Sequence, residues 1–389
     1  MNQGKYIFSQ LMELVSAKSF QTIVNRHNGE YKVKEFSCWK QFLCMAFGQL
    51  THRESLSDTV LCLKANANKL YHLGIGELVA KSTVAKANEN RPCQIYEDLA
   101  MLLIQEAKQL YLKDNNLEID LKNNVFAIDA TTIDLCLSTF YWATFRSTKG
   151  GIRLHTQLDL KTSIPVFISI TPASVHEVNV LDYIAFEANS FYVMDRGYID
   201  YTRLYNIHQS KAFFVTRAKD NMNFRRIYSH PANKKEGVMS DQSIVVNGFY
   251  AKEFYPKKMR RIKYFDAETN KYLIFLTNNF QLKATEIAQL YKHRWKIELF
   301  FKWIKQHLKI KAFWGQSENA VKTQVWIAVS VYVLVAIAKK KFLLKQSLYE
   351  ILQILSISIF DKMPINQLFE ETQLQYFKEQ NPNQLKMWD

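Results

Sequence analysis

Glycine and proline are scarce in this chain, 11 and 7 of 389 residues, which excludes collagen-like and proline-rich low-complexity architectures. Cysteine is equally thin: Cys38, Cys44, Cys62, Cys93 and Cys136 are odd in number and scattered, with no Cys-x-x-Cys pair and no histidine at ligand spacing. Neither a disulfide framework nor a zinc site follows from them, and buried reduced thiols are expected. Met1-Asn2-Gln3-Gly4-Lys5 leads into a mixed segment rather than an apolar one, so secretion is not expected. No apolar run reaches the roughly 20 residues that span a bilayer. The longest, Val325 to Ala338, has 14 and closes on Lys339-Lys340-Lys341; it reads as a buried core helix, with no membrane partner. Acidic residues are the minority, 36 against 51 Lys and Arg, for a net charge of +15. That excess suits an extended polyanion, most simply nucleic acid, met in the cytoplasm.

What is present is enough for more than one core, since single cores stop growing near roughly 250 to 300 residues. Residues 1–118 read as a helical N-terminal domain: Cys38 to Leu50, Glu54 to Leu63 and Tyr96 to Tyr111 carry apolar residues at three-to-four spacing. Ser82-Thr83 are expected to cap a short helix ending at Asn90, whose Lys86, Asn88, Asn90 and following Arg91 are of the types that contact bases and phosphates. From Asn123 the texture turns to strands at Val125 to Asp129, Ile152 to Leu160 and Pro165 to Thr171, with Lys149-Gly150-Gly151 as a turn. A helical stretch near Val180 to Ala188, a buried strand Phe191 to Met194, a helix near Tyr201 to Gln209 and a strand Ala212 to Thr216 follow. This order predicts an α/β fold with an RNase H-like core over residues 119–345.

A β subdomain is expected as an insertion at about 220–280. It carries the basic stretch Lys257-Lys258-Met259-Arg260-Arg261-Ile262-Lys263, in which Lys257, Lys258, Arg260 and Arg261 are candidates for phosphate contact. Thr285 to about Ile310 is expected as one long helix, followed by the apolar run and a C-terminal helical segment over 346–389.

The candidate chemistry rests on three acids. Asp129 closes the strand Val125-Phe126-Ala127-Ile128, and Asp195 closes Phe191-Tyr192-Val193-Met194 before Arg196-Gly197-Tyr198. An acid at a strand end is by itself commonly a turn-former. The third element is more specific: Tyr291, Arg294, Glu298 and Lys305 follow one another at steps of 3, 4 and 7, a stripe only about 60° wide on an ideal helix. Such a stripe can also be an ordinary charged face with an Arg294–Glu298 pair. With the two aspartates it fits a two-metal phosphoryl-transfer site, whose hard oxygen ligands favour two Mg2+ or Mn2+ ions. Weaker candidates are Asp134, of opposite strand parity to Asp129; His176-Glu177, at an expected helix start; and His155, on a strand without an evident partner.

These residues resemble the DDE transposases of bacterial insertion sequences, in the group marked by Tyr-x2-Arg-x3-Glu-x6-Lys. That signature stands here as Tyr291, Arg294, Glu298 and Lys305, with the first acid in Ile-Asp-Ala-Thr-Thr and the second in Met-Asp-Arg-Gly-Tyr. The resemblance covers about residues 120 to 335. It implies an RNase H-type fold, a metal-binding triad of Asp129, Asp195 and Glu298, and cleavage of double-stranded DNA at terminal repeats with transfer of a 3′-OH to target DNA. It further implies contacts of Tyr291, Arg294 and Lys305 with the transposon-end backbone, and a homodimer assembled on two ends in a bacterial, nucleoid-associated setting. Members that excise through a hairpin hold a flipped base on an aromatic residue, often a tryptophan of the insertion. Here the one tryptophan between Asp195 and Glu298 is Trp295, leaving Phe249, Tyr250 or Phe254 as substitutes within the insertion. A nuclease that cuts without joining and a non-catalytic DNA-binding regulator are the alternatives; the presence of all three acids speaks against the regulator.

Overall fold

The computed structural model describes residues 4–370 apart from 115–116, 118, 120, 147–148 and 308–312. Its helices are α1 (Ile7–Met12), α2 (Ala17–Arg26), α3 (Cys38–Leu50), α4 (Leu56–Ala65), α5 (Lys81–Asn90), α6 (Gln94–Tyr111), α7 (Tyr201–Gln209), α8 (Phe249–Phe254), α9 (Ala284–Lys292), α10 (Trp295–His307), α11 (Glu318–Lys341) and α12 (Leu348–Ser358). The chain divides into two compact units, Met1–Tyr111 with Trp303–Asp389, and Leu112–Lys302.

The first unit is helical. Serine side chains cap α2, α3, α4, α11 and α12, each accepting a backbone N–H three residues on, which satisfies donors that a helix start leaves open. Its centre is α11, packed against α3, α5, α6 and α12. By length and composition alone this 24-residue helix could cross a membrane, but 94% of its apolar window is buried inside the protein. The apolar run in the sequence understates it because Thr323, Gln324 and Ser330 are also buried. Ser330 donates to the Trp326 carbonyl at 2.9 Å, and Gln324 accepts the Trp314 N–H at 2.8 Å. A helix buried on all faces shows little periodicity, as expected for a core element.

In α5 the N-cap is Ala80, without a side-chain cap bond, so Ser82 and Thr83 lie inside the first turn rather than capping it. Two of the expected DNA contacts on this segment turn inward. Asn88 is buried and accepts from Gln41 at 2.8 Å, while Arg91 donates to the carbonyls of Phe36 and Ser37 and to the Gln41 side chain.

The second unit is built on one mixed sheet of β1 (Val125–Leu135), β2 (Thr144–Arg146), β3 (Lys149–Asp159), β4 (Pro165–Pro172), β5 (Phe191–Met194), β6 (Phe213–Arg217), β7 (Phe224–His230), β8 (Val238–Val246), β9 (Met259–Asp266) and β10 (Lys271–Thr277). The order is β2-β3-β1-β5-β6-β10-β9-β8-β7, with β4 also pairing β3. The strands β1, β3 and β4 form the expected antiparallel meander, and β5 and β6 add parallel to β1. β5 is apolar and buried over its paired residues, as a strand covered on two faces must be; in β6 the paired Phe213, Phe214 and Val215 are apolar and Thr216 is buried and polar. The fold is therefore mixed α/β. The strands β7 to β10 continue this sheet, because β10 pairs antiparallel with β6. Where an α-helix was expected near 180–188, the chain makes a 3-10 turn over Glu177–Asp182.

Candidate active site

The pairing of β1 with β5 aligns Val125 with Phe191 and ends at Ile128 opposite Met194. The next residues, Asp129 and Asp195, therefore leave the parallel register side by side at the same edge. There β1 continues along β3, with Asp129 opposite Thr156. β5 instead ends, and Asp195 becomes the N-cap of a 3-10 turn over Arg196–Tyr198. Its carbonyl accepts the Thr216 hydroxyl at 3.1 Å, which ties the turn to β6. Asp134 lies farther along β1, opposite Gly151, and is exposed.

The expected single helix over 285–310 is broken: α9 ends at Lys292 and α10 begins at Trp295, and 308–310 fall outside the described residues. At the break the amides of Arg294, Lys296 and Ile297 bond carbonyls three residues back instead of four. This tightening re-aims the chain between Tyr291 and Glu298. Tyr291, on α9, donates its hydroxyl to Asp195 Oδ1 at 3.4 Å, its ring packed 5.0 Å from that of Phe275. Arg294, at the break itself, donates to Asp129 Oδ2 at 2.8 Å and to Glu298 Oε1 at 2.5 Å. The structure thus gathers Asp129, Asp195, Tyr291, Arg294 and Glu298 from two strands and a broken helix pair. Lys305 follows on α10, two turns beyond Glu298, and is half-buried.

Burial pushes the Asp129 carboxyl up to about 6, against the lowering effects of Arg294 and of the Ala130 N–H, and with Glu177 and Glu298 adding to the rise. Tyr198, three residues after Asp195, is 1% exposed, and its hydroxyl has no hydrogen-bond partner. Burial raises its pKa, and the charges of Asp129 and Glu177 raise it further. Glu177 stands 3.6 Å from Arg153. Glu177 reaches the surroundings of Asp129, whereas the His176 ring accepts the Val178 N–H as the cap of its own 3-10 turn. Arg153 had no sequence signal, because an arginine inside an apolar strand looks like structure, and Tyr198 stood in the sequence only as the last residue of the Met-Asp-Arg-Gly-Tyr context of Asp195. His155 does have a partner: its Nε2 lies 2.9 Å from Thr171 Oγ1, and burial foremost, then Arg153, pushes its pKa down to about 4.

Among the described residues no group of three His, Cys, Asp or Glu side chains is arranged to hold a metal ion. At this site the Arg294 guanidinium stands between two of the acids. The donor set nevertheless fits a hard divalent cation: three carboxylates from three elements, one of them buried enough to need a counter-charge.

The basic stretch divides. Lys257 and Lys258 are exposed. Arg260, expected to meet phosphate, is buried in a two-pronged ion pair with Asp241 at 2.7 and 2.9 Å and also donates to the Leu282 carbonyl. Arg261 is half-buried, stacked 4.7 Å over the Phe224 ring and bonded to Gln242. Of the aromatic candidates, the side chains of Phe249 and Tyr250 lie outside the described residues, and Phe254 is exposed. Trp295 is also exposed and lines a cavity of about 480 Å³ with Arg217, Tyr264, Phe275, Tyr291 and Arg294.

A mixed sheet with acids on adjacent parallel strand ends, faced by a Tyr-Arg-Glu series, defines a carboxylate site of the kind that serves phosphoryl transfer. Residues 120–334 match the family described as the transposase DDE domain, and residues 3–76 match a domain of unknown function. A Sinorhizobium fredii protein bearing the name of a transposase is 33% identical over 66% of this chain and 71% of its own length. One from Geobacillus stearothermophilus, named for the transposase of an insertion sequence element, is 28% identical over 65% of this chain and 66% of its own. A third, from Synechocystis and similarly named, is 25% identical over 67% and 72%. The chain belongs to the DDE transposase family. It is an enzyme that acts on DNA, in a family generally dependent on divalent metal.

Proposed function

We propose that Asp129, Asp195 and Glu298 are the catalytic triad of an RNase H-like core that cuts DNA at transposon ends and transfers the freed 3′-OH into target DNA. The observation that carries this reading is the convergence of the three acids on Arg294 and Tyr291, from β1, β5 and α10. Two Mg2+ or Mn2+ ions held by these carboxylates would supply activation of the attacking oxygen and stabilisation of the leaving one. Once the carboxylates are otherwise neutralised, Arg294 turns its forked donors to the phosphates flanking the scissile bond. Tyr291 holds Asp195 in place through its hydroxyl. Lys305, Lys257 and Lys258 grip the DNA backbone, and Arg260 ties β9, which follows Lys257 and Lys258, to Asp241 of β8. Joining two ends calls for two protomers. Trp295, beside Arg294, offers an aromatic wall to a base drawn out of the duplex near the cut.

The test is cleavage and strand transfer on duplexes carrying the element's own ends, with Mg2+ or Mn2+, comparing wild type with Glu298→Gln. Metal-dependent 3′-OH ends and joined products, both lost in the variant, are expected. Cleavage without joining would make the protein a nuclease, and a variant that cuts like wild type would remove Glu298 from the triad.

A further inference from the structure

Strand β3 carries four buried polar side chains within five residues: Arg153, His155, Thr156 and Gln157. Arg153 donates to the Val175 carbonyl, and His155 stands 2.9 Å from Thr171 Oγ1. Thr156 differs from both: it is 1% exposed, and its hydroxyl has no hydrogen-bond partner among the described residues. Its place is fixed by register, opposite Asp129 on β1 and opposite Ile168 on β4. Residues directly opposite one another share a face of the sheet. On that face β3 presents Leu154, Thr156 and Leu158, and β1 presents Val125, Ala127 and Asp129. The four apolar members of this set are fully buried. Thr156 is thus a polar break in an apolar row, and of its two cross-strand neighbours only Asp129 is polar. The Asp129 carboxylate takes the Ala130 N–H on Oδ1 at 2.8 Å and Arg294 on Oδ2 at 2.8 Å. An ionised carboxylate offers about four lone-pair directions, so each oxygen has room for a further partner.

We propose that Thr156 is a positioning residue for phosphoryl transfer: its hydroxyl donates to the Asp129 carboxylate and holds it in place while that carboxylate ligates a divalent ion. The inference rests on the reading of Asp129 as a member of the triad. Under that reading Arg294 turns to phosphate and leaves Oδ2 without its donor. Thr156 supplies the replacement from the neighbouring strand, and as a neutral donor it does not compete with the ion for the acid's charge. A residue placed there for packing alone would be valine, which has the same branched shape and no polar atom to bury. A buried hydroxyl left unbonded costs stability, and such a group in a folded protein calls for a reason. Carboxylates that hold metal ions are themselves held by outer hydrogen bonds, whose loss weakens ion binding or activity by roughly 10- to 100-fold.

The test uses the full chain with Thr156→Val, Thr156→Ser and Asp129→Asn. Mn2+ binding is followed by loss of the free-ion paramagnetic resonance signal. The Mg2+ concentration for half-maximal cleavage of a terminal-repeat duplex is measured in single turnover, and each variant is melted. Thr156→Val is expected to raise both metal midpoints by about 10- to 100-fold. Its rate at saturating metal should change little, since the hydroxyl touches neither DNA nor the reacting oxygens. Its melting temperature should equal or exceed that of wild type, because an unbonded buried hydroxyl has been removed. Thr156→Ser, which keeps the hydroxyl, should restore both midpoints. Wild-type midpoints in Thr156→Val would overturn the role of Thr156, and if Asp129→Asn then binds the ion weakly and fails to cut, the triad stands without it. A Thr156→Val chain that melts early, or a Thr156→Ser chain with midpoints as high as those of Thr156→Val, would make Thr156 a packing residue and overturn the proposal equally. An Asp129→Asn chain that binds the ion and cuts like wild type would remove Asp129 from the triad, and this inference with it.

Discussion

Arg294 shows what a single residue can do that its neighbours in sequence do not reveal. Its pairing with Glu298 is the ordinary four-residue helical contact, but its pairing with Asp129 crosses 165 positions. The acids themselves were legible because each follows a short apolar run that pairs in parallel with the other, although β1 continues past Asp129 to Leu135 and buries it. The double tether was not, because it depends on where α9 breaks. Arg294→Ala is expected to slow strand transfer by about 10²- to 10³-fold, the usual range for losing one preorganised donor, measured in single turnover with the fold checked by melting. A loss under tenfold would sink its role at the phosphates. His155 gives a pH prediction. Its folded pKa, about 4, lies below the ordinary histidine value of 6.5, so below pH 6.5 the unfolded chain takes up a proton that the folded one refuses. Its contribution to stability is complete at neutral pH, is lost progressively as pH falls from 6.5, and levels off below 4. The loss by pH 5 is about 2 kcal/mol. Urea unfolding at pH 7 and pH 5 should show this difference shrinking in His155→Gln; an unchanged difference would place its source elsewhere.

At the scale of elements, strand order and the presence of added β structure were readable from alternation, but their attachment was not. Nothing in residues 224–277 announces that β10 will pair with β6 and extend the central sheet, since pairing partners far apart in sequence leave no local pattern. The Lys257 to Lys263 stretch was misread in part for the same reason: Arg260 looks like its exposed neighbours until β8 brings Asp241 beneath it. Asp241→Ala leaves that guanidinium buried without its counter-charge, and is expected to cost about 3 to 5 kcal/mol by denaturant unfolding, whereas Lys257→Ala should be nearly neutral. Gly237 enters β8 with φ 83°, and an added Cβ would stand 2.7 Å from the Phe265 carbonyl oxygen. Gly237→Ala should destabilise by about 1 to 3 kcal/mol, and a melting temperature equal to wild type would show that the turn relaxes freely.

For the whole molecule, composition was the most informative reading, and the partition into units the least. The return of residues after Trp303 to the N-terminal helices has no signature short of the contacts that α11 makes with α3, α5 and α6. The excess of 15 positive charges predicts strongly salt-dependent binding to any duplex, falling at least roughly a hundredfold between 50 and 200 mM salt if four or more phosphates are neutralised; a flat salt response would deny the charge its assigned purpose. The Arg294 tether has a last consequence for how such an enzyme is kept. Proteins whose fold is made by a structural ion collapse when a chelator removes it. Here an internal guanidinium already pairs with two of the acids, and among the described residues no group of three His, Cys, Asp or Glu side chains is arranged to hold a metal ion. Chelation should therefore silence the enzyme and leave it folded, so that one preparation can be stripped, stored and returned to work by adding back the ion.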